Sequence, residues 1–237
     1  MAKLAMLNNV EHRELRVNTC YGEEFGDNIM NTLAIPSEFR SLQADYPIVL
    51  HKNEDTGQFL PMVLFGFEQE ENLFLKEDQW QASYVPLMVR RGPFLIGFQE
   101  PRGGDEKSMV ISVDMDNPRV GQEGERLFEP FGDSTEYTNQ VADILQQIDK
   151  GQAAIEEFSR ALGNLDLIEP FSFEVKLNSG ETRRLEGFYT VHEEKLASLG
   201  GVILEDFAQR GILHGAYMMI ASLGNFPKLI ELKNRSV

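Results

Sequence analysis

Residues 171–189 read Phe-Ser-Phe-Glu-Val-Lys-Leu-Asn-Ser-Gly-Glu-Thr-Arg-Arg-Leu-Glu-Gly-Phe-Tyr. From Phe171 to Leu177 apolar and polar side chains alternate without a break, the period of a strand with one buried face. Asn178-Ser179-Gly180 supplies turn chemistry, and Thr182 to Tyr189 brings the chain back, so the stretch forms an antiparallel hairpin.

Working outward from this hairpin, the first 115 residues hold short strand-like runs separated by turn residues: Leu15–Val17, Thr32–Ile35, Pro47–Leu50, Phe59–Phe67, Leu73–Leu75, Phe94–Phe98 and Met109–Met115. Asn53-Glu54-Asp55-Thr56-Gly57 lies between the third and fourth. Its glycine can take a positive φ, which makes Ile48–Leu50 and Phe59–Phe65 a second hairpin. A short helix is expected over Pro36–Ala44, its proline placed where a first helical turn needs no N–H donor.

The other half reads as helices. Asp133 with Glu136 three residues on gives a capping-box-like start. Tyr137, Val141, Ile144, Leu145, Ile148, Ile155, Phe158, Leu162 and Leu165 then recur at helical spacing as one apolar stripe, with Gly151 a candidate break. Thr190 with Glu193 is expected to cap a helix burying Leu196 and Leu199; further helices follow over Val202–Gln209, Ile212–Leu223 and Pro227–Leu232. The fold class is α+β: an antiparallel or mixed sheet from the N-terminal half and the 171–189 hairpin, packed with C-terminal-half helices. One domain over residues 1–237 is expected, with a candidate sub-lobe boundary in the proline- and glycine-punctuated stretch 101–132.

The chain has 237 residues, 42% of them apolar, and a formal charge of −16. That length buries roughly 70% of the surface the unfolded chain exposes, enough for a core without staples. The negative charge repels phosphate backbones, and the basic pieces are short and scattered, so nucleic acid is not an expected partner. No run of eighteen apolar residues occurs, so no membrane span is expected, and the N-terminus has no secretory pattern. Cys20 is the only cysteine, which rules out an intrachain disulfide and fits a reducing compartment; its thiol is read as idle rather than nucleophilic. The expected location is the cytoplasm, with the cell surface by a signal-independent route as the alternative.

No phosphate-cradling glycine loop or nucleophile elbow is present, and no cofactor is expected. Four histidines occur, His12, His51, His192 and His214, none paired at metal-site spacing. His192-Glu193-Glu194 fits a helix's first turn, where acidic residues favour the helix dipole. Asp114 and Asp116 alternate at a strand end, either as a carboxylate pair or as a hydrated terminus. The segment from Trp80 to Phe94 sets the only tryptophan, Tyr84, Arg90 and Arg91 beside apolar runs, residue types enriched where proteins bind partners. An exposed Arg90 or Arg91 offers carboxylate or phosphate capture; one paired with an internal acid is structural.

Taken together, Asn8-Asn9-Val10-Glu11-His12, Phe25-Gly26-Asp27-Asn28, Tyr46-Pro47, Glu71-Asn72-Leu73-Phe74, Tyr84-Val85-Pro86 with Arg90-Arg91-Gly92-Pro93-Phe94, Gly187-Phe188-Tyr189-Thr190-Val191-His192-Glu193-Glu194-Lys195-Leu196 and the closing Tyr217, Ile220, Ser222 and Asn225 resemble the bacterial SapC family over nearly the whole chain. The resemblance implies an association, by name, with paracrystalline surface layers, and brings no established catalytic residues. The leading expectation is therefore a non-enzymatic accessory or binding protein with a protein or small-molecule partner. The binding candidates are Trp80, Tyr84, Arg90, Arg91, His12, His192 and Glu193. Two alternatives stay open: an enzyme using His12, His192 and nearby carboxylates, and a self-assembling structural protein that forms homo-oligomers.

Overall fold

The computed structural model of the chain describes residues 3–99 and 108–236. The α+β class holds: every strand pairing among the described residues is antiparallel, and helices account for most of the C-terminal half. Contacts divide the chain into two compact units, Met1–Asp27 with Leu87–Lys150 and Asn28–Pro86 with Gly151–Val237. Of the stretch 101–132, residues 101–107 lie outside the described residues, and 108–132 belong to the first unit.

In the second unit the two expected hairpins join in one five-stranded sheet. Its order is Ile168–Lys176, Thr182–Val191, Ile48–Lys52, Phe59–Leu64 and Asn31–Leu33. The seam is short, with Phe188 opposite His51 and Tyr189 opposite Leu50. The 171–189 hairpin carries a bulge in which Glu186 and Gly187 face the single residue Ser172. Gly187 adopts φ 80°, a conformation that costs other residues about 1–2 kcal/mol. Helix Ile212–Ser222 packs on this sheet, and Ser222 at its end accepts the buried Ile48 N–H through Oγ at 2.8 Å. The short helix expected over Pro36–Ala44 forms as a 3₁₀ turn, Pro36–Glu38, followed by Phe39–Leu42.

In the first unit Leu4–Met6, Ser108–Asp114 and Phe94–Gln99 form one sheet, and Val120–Gly121, Arg16–Val17 and Glu125–Arg126 a smaller one. Their inner residues Val17, Phe94 and Val113 meet Leu127, Phe128, Val141 and Leu145 in a shared core. Val141 and Leu145 come from the apolar stripe of the long helix.

Three local expectations are corrected. The long helix runs unbroken over Glu136–Asn164. A single glycine costs a helix only about 1 kcal/mol, and here it answers a packing need: a Cβ on Gly151 would lie 2.3 Å from Ile35 Cγ2. The helix cap is Thr135, whose Oγ1 accepts the Thr138 N–H at 3.2 Å; Asp133 lies two residues too early. At the other predicted cap, the sheet ladder extends through Val191, which pairs with Ile168 and keeps Thr190 within the strand. The cap passes to His192, whose ring nitrogen accepts the Lys195 N–H at 3.5 Å, ahead of helix Glu193–Ala197. Among the described residues no helix is long and apolar enough to cross a membrane.

Candidate functional site

The first unit carries a cleft of about 480 Å³, within the range of small-molecule sites. Four separated segments build it together with the strap that carries Asn18, Thr19 and Tyr21. The turn Asp116-Asn117-Pro118 delivers Arg119, whose side chain is 6% exposed and holds the strap 18–27 in place. Arg119 Nη2 pairs with Asp27 Oδ2 at 2.5 Å; Nη1 donates to the Asn18 carbonyl at 3.1 Å and also to that of Cys20. Asp27 Oδ2 in turn accepts the Gly22 N–H at 2.9 Å. A buried guanidinium needs this many partners, because an unpaired charge out of water is strongly unfavourable. Its plane also lies 4.9 Å from the Phe25 ring and 5.8 Å from that of Tyr21, at cation–π range. Arg119 is thereby a structural cation that fixes Tyr21 as one wall of the cleft.

The start of the long helix lines the cleft as well, with the polar side chains of Glu136, Tyr137 and Gln140 and the apolar ones of Val141 and Ile144. Tyr137 packs edge-on against Phe94 at 6.2 Å. Burial pushes its hydroxyl pKa up to about 12, with Arg119 working against the shift and Glu125 and Tyr21 adding to it. The hydroxyl stays a hydrogen-bond donor at any physiological pH. Burial likewise raises Tyr21, opposed by Arg119 and Arg90. The third segment is the short helix Leu87–Arg90 with the turn after it. There Arg90 is exposed and, among the described residues, makes no ion pair or hydrogen bond. The fourth is strand Glu125–Arg126, whose Glu125 carboxylate is likewise exposed and unpaired among the described residues.

Of the binding candidates named from sequence, Arg90 alone lines this cleft. Arg91, its neighbour, is half-buried; it donates to the Phe94 carbonyl at 2.8 Å, and burial lowers its pKa. His12 belongs to the same unit but is buried, its Nδ1 accepting the Asn8 N–H at 3.1 Å to close the turn 8–12. Trp80, Tyr84, His192 and Glu193 belong to the other unit. There the Trp80 Nε1–H donates to Tyr46 Oη at 2.6 Å and its ring meets Phe65 edge-on at 5.1 Å. Tyr46 in turn donates to the Tyr84 carbonyl at 2.5 Å, and the Tyr84 hydroxyl to Glu38 at 2.9 Å. His192, besides capping, stands 3.7 Å from Glu169, and Glu193 sits in the first turn that His192 caps. Asp114 Oδ1 accepts the Asp116 N–H at 3.1 Å, a local turn at the strand end. Among the described residues no three His, Cys, Asp or Glu side chains gather in a way that could hold a metal ion.

A model of the SapC family matches residues 7–229. The chain belongs to the SapC family. No curated protein and no solved structure matches it. Several SapC-like residues quoted from the sequence hold the fold: His12 closes a turn, Asp27 pairs with Arg119, Ser222 caps Ile48, and Asn225 Nδ2 donates to the Gln43 and Tyr46 carbonyls at 2.7 and 3.1 Å. In this SapC chain sequence reasoning reached Arg90 but missed Arg119, Tyr21 and Glu125, read Glu136 as a capping residue and read Tyr137 as core alone. Each is ordinary in its own segment, and only the folding together of residues far apart in sequence gives them a common face. The one local signal was the Asn117-Pro118 turn leading into a lone arginine.

Proposed function

We propose that this SapC-family chain is a non-catalytic binding or accessory protein that takes a small carboxylate- or phosphate-bearing ligand into the cleft of its first unit. The observation that carries this reading is Arg90, a planar guanidinium without a protein partner among the described residues, at the edge of a cleft walled by two tyrosines. Such a group binds a carboxylate or phosphate through two parallel hydrogen bonds. The Tyr137 hydroxyl, kept protonated by burial, adds a donor, and Val89, Pro93, Val141 and Ile144 offer apolar surface to the rest of a ligand. The nucleophile elbow that serves covalent catalysis does not occur in the sequence, and Asp114 of the Asp114/Asp116 pair accepts the Asp116 N–H in a local turn.

The place of action is the bacterial cytoplasm, in service of the surface layer that the family name carries. Titration calorimetry with simple carboxylates and inorganic phosphate, repeated on Arg90→Gln, tests the binding reading: affinity falls by about tenfold or more in the variant, the scale of one charged hydrogen bond. Affinity equal in the two proteins, or no binding by the folded wild-type chain, overturns it. Cell fractionation tests the location, and recovery of the native chain chiefly as an external array overturns that part.

A further inference from the structure

The cleft presents two opposite charges that the protein leaves unpaired among its described residues, Arg90 from the helix Leu87–Arg90 and Glu125 from the strand Glu125–Arg126. No ion pair joins them. Of the other charges on the lining, Arg119 is neutralised by Asp27, whereas Glu136 keeps its charge beside Glu125's and accepts only a long hydrogen bond of 3.4 Å from the neutral Gln140 amide. From Arg90 and Glu125, both on the lining of one cleft and not paired with each other, we infer that the ligand is a zwitterion of amino-acid to dipeptide size, its carboxylate on Arg90 and its ammonium on Glu125. This deepens the binding reading of the cleft and rests on it.

The chemistry favours a zwitterion over a simple anion. A monocarboxylate seated on Arg90 leaves Glu125 facing the ligand body, repelling its charge and gaining nothing in return. A ligand with an ammonium at its other end turns that repulsion into a second ion pair. The two charges come from different elements, the short helix Leu87–Arg90 and the strand Glu125–Arg126, and no ion pair within 4 Å joins them. A volume of about 480 Å³ leaves room for a short chain between the two ends. Val141 and Ile144 on the same lining suit methylene groups.

The test is titration calorimetry of the full chain with glycine, γ-aminobutyrate, ε-aminocaproate and diglycine, against caproate and hexylamine as singly charged controls. At least one zwitterion is expected to bind at least about fivefold more tightly than either control, the scale of one partly exposed ion pair. Glu125→Gln is expected to erase that advantage while keeping caproate affinity, and Arg90→Gln to weaken zwitterions and caproate alike. Both substitutions are at exposed positions, so the variants fold, which far-UV dichroism checks. Caproate binding as well as every zwitterion, or an advantage that survives Glu125→Gln, overturns the zwitterion and leaves the carboxylate reading standing. Failure of every probe on the folded wild-type chain overturns both.

Discussion

Replacing Gly151 by alanine sets two effects against each other inside one helix. Alanine is favoured over glycine in a helix interior by about 1 kcal/mol, so propensity alone makes the variant more stable. Packing opposes it. The new Cβ would lie 2.3 Å from Ile35 Cγ2, 3.2 Å from Cδ1 and 3.4 Å from Cβ, where ordinary contact begins at 3.4 Å. Ile35 is 1% exposed and β-branched, so its Cγ2 cannot turn away without leaving its rotamer. Overpacking of this kind costs about 1–3 kcal/mol, and a clash against a stiff side chain belongs at the upper end. The net expectation is a loss of about 1–2 kcal/mol. Gly163 provides the internal control: it lies in the same helix, and a Cβ there meets nothing within 4 Å. Gly163→Ala is expected to gain up to about 1 kcal/mol, tempered by its place in the last turn. Urea denaturation followed by far-UV dichroism, with m-values checked for equality, gives both numbers. A Gly151→Ala protein as stable as wild type or more so would refute the close approach of Ile35 to the helix.

Further outcomes follow from the charged groups. Arg119→Met removes one partner of the buried Arg119–Asp27 pair and is expected to destabilise by about 3–5 kcal/mol, with Asp27→Asn in the same chain recovering part of it; a loss below about 1 kcal/mol would show the pair to be idle. Tyr137 has its pKa raised to about 12, chiefly by burial, with Arg119, Glu125 and Tyr21 as its charged neighbours. The stability linked to it is complete below the unfolded tyrosine value of about 10 and is lost as pH rises toward the folded value, so Tyr137→Phe is expected to flatten the alkaline fall of the denaturation midpoint. At Asp45 burial acts to raise the pKa, but bonds from Lys228 (2.5 Å) and Ser83 outweigh it and hold the carboxyl below its usual range. Asp45→Asn is expected to cost about 1 kcal/mol near neutrality, a difference that disappears as pH drops below about 3.9 through the folded value; a pH-independent difference would reject the assignment.

The sheet was readable because its strands obey a period of two and its turns use residues with one conformational purpose. Phe171–Leu177 and Asn53–Gly57 are of that kind. Caps were harder. Thr190-x-x-Glu193 has the right spelling, but a ladder partner 21 residues upstream, Glu169, holds Thr190 in the strand, and no local window contains that competition. Gly151 misled for the same reason: its helix cost is local, whereas its use, clearance for Ile35, lies 116 residues away in sequence. Of the cleft, only Arg90 was legible, as an arginine beside apolar runs. Arg119 was not, because a buried arginine is recognised by its partners, and Asp27, Asn18 and Cys20 stand about a hundred residues away from it in the chain.

The chain has one tryptophan, Trp80, and its indole is bonded to Tyr46 and pressed against Phe65, all three in the unit that holds the five-stranded sheet. Indole emission from this protein is therefore a private signal of that unit. Melting of residues 28–86 and 151–237 releases Trp80 into water and reddens the spectrum, while the cleft-bearing unit contributes only the phenol emission of Tyr21 and Tyr137.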